Sequence, residues 1–155
     1  MKILINIIIS LIAFFIAYGI AYFTGSSIVI NAILLAFIIH WVAFVPAYVF
    51  QTEKFYDLTG SMTYLSVVWI TYTLSKNQYE MSIGSLILAI LISIWAIRLG
   101  SFLFLRIHKD GEDKRFRTIK TSASQFFFTW TLSGMWVSLC SICAWTAMAL
   151  SLIHI

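Results

Sequence analysis

The residues with the most chemistry in this chain stand together at one helix mouth. In "QTEKFYDLTGSMTY", positions 51–64, two carboxylates, Glu53 and Asp57, accompany two phenols, Tyr56 and Tyr64. Continued helically from Asp57 at 100° per residue, Ser61, Tyr64 and Thr71 fall within about 40° of it. Thr59, Thr63, Ser66, Tyr72 and Thr73 add hydroxyls around the same helix. In so apolar a chain, a helix facing lipid alone has no use for that stripe, which belongs in a bundle interior or a wet cavity. Two uses stay open: groups that orient and protonate a reacting molecule, or interhelical hydrogen bonds alone.

Cations form the second concentration. Arg98 lies eight residues before Arg106, about 12 Å deeper along a continuous helix. It either snorkels to the interface or borders a site, with Gly100 and Ser101 opening space beside it. The loop "RIHKDGEDKRFR" holds Arg106, Arg115 and Arg117, part of a run from Arg106 to Lys120 with six cations and three carboxylates. It reads as a solvated, orientation-setting loop or as a phosphate grip, since a guanidinium binds phosphate bidentately and an ammonium does not. The remaining polar residues are weaker signals. His40 reads as a hydrogen-bonded core histidine and His108 as solvated. Cys140 and Cys143 have CxxC spacing without two further ligands for zinc.

The elements that must hold these groups are membrane helices. Of 155 residues, 61% are hydrophobic and 10% charged, against about 25% charged in a soluble domain. A soluble core of this length cannot absorb so much apolar surface, so the fold class is an all-α, polytopic transmembrane bundle. Five stretches approach the ~20 residues a span needs: 3–23, 28–50, 58–74, 82–105 and 125–149. The first is too long for a signal-peptide core of about 7–15 residues and reads as a retained helix. Small residues every four positions, Ala13, Ala17 and Ala21, then Ser85, Ala89 and Ser93, mark close helix packing. Eight of ten Lys and Arg fall on one side, at Lys2, Lys54 and the basic loop. The positive-inside rule puts that side in the cytoplasm, of a bacterial inner membrane or the endoplasmic reticulum. The net charge of +4 thus serves orientation, and no nucleic-acid partner is expected.

"QTEKFYDLTGSMTY", "WAIRLGSFLFLRI", "GEDKRF" and "FFFTWTLSGMWV" together resemble the steroid 5-alpha-reductase-like superfamily, in a branch catalogued as a domain of unknown function. The resemblance covers residues 42 to 137. It matches best at Asp57 with Gly60, at Arg98 to Gly100 and at Glu112 to Phe116. It implies a helical bundle that binds NADPH from the cytoplasmic side and reduces a carbon–carbon double bond of a lipid, commonly one conjugated to a ketone. Glu53, Tyr56, Asp57 and Tyr64 would then donate to, or orient a donor toward, the carbonyl. Arg98, Arg106, Arg115 and Arg117 would hold the cofactor's phosphates.

The match is partial. Family members pair a Gln with an adjacent Glu, whereas Thr52 separates Gln51 from Glu53 here. They also carry further helices, about seven spans of some 20 residues each in all. Residues 1–149 therefore read as an incomplete transmembrane domain, inactive alone, and 150–155, "LSLIHI", as a tail encoded by a sequencing adapter. The expected partners are membrane lipid and a hydrophobic small-molecule substrate. The competing readings are a small transporter or channel subunit and a relative of the isoprenylcysteine-type membrane methyltransferases.

Overall fold

The computed structural model describes residues 2–78 and 83–150, and every regular element in them is helical. Five long helices, α1 (Lys2–Phe23), α2 (Ser27–Val49), α3 (Tyr56–Gln78), α4 (Ile83–Asp110) and α6 (Ala123–Ala149), are joined by short turns and the one-turn α5 (Phe116–Ile119). Helices α1, α2, α4 and α6 are long and apolar enough to cross a membrane. The chain is a multi-pass helical membrane bundle. The remaining expected span, α3, has 23 residues, about 34 Å of helix, but its hydroxyls leave it less apolar than those four. The expected start of the fourth span, Ser82, and most of the 150–155 tail lie outside the described residues.

Side-chain pairs fix the topology. Trp69 donates to Ser93 at 3.0 Å and Ser61 abuts Gly100, so α3 and α4 run antiparallel. Trp41 donates to Thr131 at 3.1 Å, which sets α2 antiparallel to α6. Tyr56 reaches Thr129 and Gly60 faces Ser133, so α3 and α6 run parallel, 73 residues apart in register. Asn6 donates to Ser124, which brings the N-terminus to the end that also carries the 50–55 turn and the basic segment. The cations counted on one side from sequence are on one side of the bundle.

Helix α6 is the hub, packed on α1, α2 and α3 and only lightly on α4. Its Phe126, Trp130, Val137, Trp145 and Met148 are almost fully buried. On α1 the buried residues are the small ones, Ser10, Ala13, Ala17 and Ala21, while the large Leu4, Ile8, Leu11 and Phe15 face outward. Small residues inside and large apolar residues outside are what helix packing in lipid requires.

The tightest crossing joins α3 to α4. A Cβ on Gly100 would stand 2.5 Å from Ser61 Oγ and 2.6 Å from its Cβ. Gly100→Ala should destabilise the bundle by about 1–3 kcal/mol through overpacking. Adding Ser61→Gly should restore most of the loss in a thermal unfolding assay, because it removes both clashing atoms.

Candidate functional site

The mouth of α3 is built by a helix stop one turn upstream. Gln51, at φ 49°, closes α2 with paired bonds, Gln51 N–H to Tyr48 O at 3.2 Å and Thr52 N–H to Ala47 O at 2.9 Å. This pattern normally places glycine at the left-handed position, so a glutamine there is strained. Gln51→Gly should raise stability by about 0.5–1 kcal/mol in thermal unfolding, minus the bond its side chain gives Tyr48 O.

That turn sends Glu53 inward. Its side chain is 3% exposed and pairs with Lys120 Nζ at 2.7 Å, and it accepts the Asp113 N–H at 3.2 Å. One carboxylate thus ties the 50–55 turn to both ends of the segment 111–122. Phe116 of α5 reinforces the tie, its ring 5.0 Å from that of Tyr56 and 6.0 Å from that of Phe126. The segment is a strap across the N-terminal end of α3. Its start also departs from the sequence reading. Helix α4 carries Arg106 and Lys109 on to Asp110, where Gly111 at φ 81° ends it, and cations on the last turn complement the helix dipole.

Within the strap the two expected phosphate-gripping residues are engaged. Arg115 pairs with Asp113 and Arg117 with Glu112. Hydrogen bonds from these arginines hold both carboxylates below their usual range. A depressed carboxylate stabilises the fold above its ordinary pKa of about 4, and that contribution is lost as pH falls through the folded value. Amide protection across 111–120 should therefore hold from neutrality to about pH 4 and fall below it. Protection that rises on acidification would contradict this sign.

The hydroxyls of α3 divide into two sets. Thr59, Thr63, Ser66 and Thr73 donate to carbonyls one turn back, so their helix absorbs them. Tyr64, Thr71 and Ser75 are buried; the hydroxyls of Thr71 and Ser75 find no hydrogen-bond partner among the described residues, and that of Tyr64 has only the Cys140 thiol, a weak one, beside it. Of these, Tyr64 borders a cavity of about 350 Å³ between α3, α4 and α6. Its polar wall is Tyr56, Asp57, Ser61, Tyr64 and Ser133; Leu99, Leu103, Leu132 and Trp136 form much of the apolar one. Asp57 to Tyr64 spans seven residues, about 10 Å of depth. Since α4 and α6 barely touch, the cavity opens between them toward the bilayer, where Trp136 is 66% exposed.

The expected site residues are thus partly gathered. Tyr56, Asp57 and Tyr64 line the cavity, and Arg106 Nη2 stands 3.7 Å from Asp57 at the end nearest the strap. Tyr56 is anchored: its hydroxyl donates to Thr129 O at 3.0 Å and its ring packs on Trp130. Glu53, expected among the reacting groups, lies under the strap instead. Arg98 is not gathered either. It is exposed on the face of α4 turned away from the Ala96–Gly100 seam, beside Trp95, Leu99 and Phe102. Sequence reasoning missed Ser133; His40 is the buried, hydrogen-bonded histidine expected, with its Nε2 3.1 Å from Ser133 Oγ. The available signal was Gly134, where a Cβ would stand 3.3 Å from Phe37 and 3.6 Å from the His40 ring. A small residue at a helix crossing brings its neighbour against the facing helix.

Bundle and cavity together define a membrane protein with a polar-walled pocket open to lipid. The chain belongs to the family described as "Protein of unknown function (DUF1295)", which matches residues 43–152. That stretch contains every residue lining the cavity; His40 lies three positions before it. No curated protein and no solved structure matches the chain.

Proposed function

We propose that this chain forms the lipid-substrate half of an integral-membrane, NADPH-dependent reductase of a conjugated carbon–carbon double bond. The observation that carries the reading is Tyr64, a buried phenol with only the weakly hydrogen-bonding Cys140 thiol beside it, on the wall of a cavity open to the bilayer. A carbonyl conjugated to the double bond gains negative charge as hydride adds, and a preorganised donor stabilises that charge. Tyr56 has committed its proton to Thr129, so Tyr64 is the donor. With hydride added to the far alkene carbon, Tyr64 would give its proton to the carbonyl oxygen to form the enol. That proton would return to the phenolate as a solvent proton adds to the carbon next to the carbonyl, which completes the saturated ketone and restores Tyr64.

The cytoplasmic end fits the phosphates of such a cofactor, at the cost of exchanging partners. A cavity of about 610 Å³ there is lined by Arg106, Lys114 and Arg115 together with Asp110, Glu112 and Asp113. The Arg115 and Arg117 side chains are more than half exposed, and exposed ion pairs are worth only about 0–1 kcal/mol. A phosphate can therefore displace Asp113 or Glu112 from either fork. Bound here, the nicotinamide would supply the hydride. Arg98, on the outer face of α4, has no part in this arrangement.

A transport path is less well supported by the same helix. Beyond Tyr64, α3 buries Val67 and Val68 completely, which sets an apolar layer between the cavity and Thr71. Cofactor protection tests the assignment. NADPH, and NADH less so, should protect the protein in membranes against heat and protease, and Arg115→Ala should weaken that protection. Protection by S-adenosylmethionine instead would point to a methyltransferase; ion flux in liposomes without any cofactor effect would point to transport.

A further inference from the structure

The protons on the cavity's polar wall can be assigned from their partners, and the assignment states what a ligand must bring. His40 is fully buried on α2, with Nδ1 2.8 Å from the Ala36 carbonyl. A carbonyl only accepts, so Nδ1 carries the hydrogen. A buried imidazolium facing a carbonyl and a hydroxyl, with no counter-charge among those partners, is disfavoured. The ring is therefore neutral, and Nε2 keeps a lone pair. Ser133 Oγ lies 3.1 Å from that nitrogen and also beside the Tyr56 hydroxyl; the imidazole nitrogen is the stronger acceptor, so Ser133 donates its proton there. The Tyr56 proton goes to Thr129 O, 3.0 Å away. Asp57, ionised beside Arg106, has no proton to give. Tyr56, Asp57 and Ser133 thus all turn lone pairs to the cavity they line. Farther in, Tyr64 is the reverse, a donor with only the Cys140 thiol beside it, a weak hydrogen-bonding group.

We propose that this cavity selects lipids bearing a free hydroxyl: Ser133, its proton held by His40, accepts the ligand's O–H, and Tyr64 donates to a second ligand oxygen about one helical turn deeper. The inference rests on reading the cavity as the lipid-substrate site and narrows its substrates to hydroxylated lipids with a carbonyl farther in. His40 acts through Ser133 and is a positioning residue. A ligand whose hydroxyl is capped would set its own lone pairs against those of Ser133 and Tyr56, and the unmatched acceptors should weaken binding about 10–100-fold.

A matched ligand pair tests this without cofactor: a long-chain hydroxy-enone and its O-methyl ether, titrated against the protein in lipid nanodiscs. The wild type should prefer the alcohol about 10–100-fold. Ser133→Ala should narrow the preference to within about threefold, chiefly by weakening binding of the alcohol. Equal wild-type affinities for the pair would overturn the proposal, and this arm needs no variant to fold. Adding NADPH separates the two readings. A preference for the alcohol without reduction would keep this inference and remove the reductase; equal affinity with reduction of both ligands would do the opposite.

Discussion

Tyr64→Phe should lower turnover of a conjugated lipid ketone by about 10²–10⁴-fold, the range for losing a positioned proton donor. KM should stay within about threefold, because the ring still fills its place against Trp95, 4.9 Å away. The same substitution should stabilise the resting protein. It removes a buried hydroxyl whose neighbour is only the weak Cys140 thiol, and a poorly matched buried polar group costs up to about 1–3 kcal/mol. Lower activity with a higher melting temperature is an unusual pair of signs, and a purely structural tyrosine would not produce it. Tyr56→Phe should behave differently. It breaks the bond to Thr129 and lowers stability by about 1 kcal/mol, with turnover falling only as far as the cavity wall shifts.

Glu53→Gln should release the strap. The amide still accepts from the Asp113 N–H, so the change isolates the loss of charge facing Lys120, which is 23% exposed on its side chain. Hydrogen bonds to charged groups contribute about 1.5–3 kcal/mol, which corresponds to roughly 10–150-fold more frequent opening. Protease nicking within 111–122 should accelerate by that factor while helix content stays the same. NADPH affinity should fall with it, because Arg115 and Lys114 lose their fixed place over Arg106. Turnover at saturating cofactor should change less than about threefold, since the carboxylate does not border the cavity. A large fall in saturated turnover with an intact strap would return Glu53 to the reacting groups. Lys120→Met in the Glu53→Gln background should recover part of the stability by removing the orphaned charge.

The membrane fold was legible because hydrophobic length is a one-dimensional signal. Helices α1, α2 and α6 begin and end within two residues of their expected limits. The small-residue stripes of α1 and α4 are likewise buried at Ala13, Ala17, Ala21, Ser85 and Ala89, because a four-residue period puts them on one face. The end of α4 was missed: charges at Arg106 and Lys109 look like loop, yet the helix continues through them to Asp110 until Gly111 stops it. At the site, helical spacing from Asp57 correctly joined Asp57, Ser61 and Tyr64. It could not separate hydroxyls satisfied by their own helix from those left unpartnered, which depends on rotamer and packing. Nor could it pair Glu53 with Lys120 across 67 positions, or Ser133 with His40 across 93. Such partners are set by helix crossings, and local pattern carries no trace of them.

The most direct measurement is product analysis by mass spectrometry. The full-length protein in native-like membranes would be incubated with NADPH and a long-chain hydroxy-enone, and the lipid recovered. The account predicts a product heavier by one hydride and one proton, saturated at the conjugated bond, formed by the wild type and nearly absent with Tyr64→Phe. Unchanged lipid from a preparation shown to bind both NADPH and the enone, or equal product from the Tyr64→Phe protein, would contradict it.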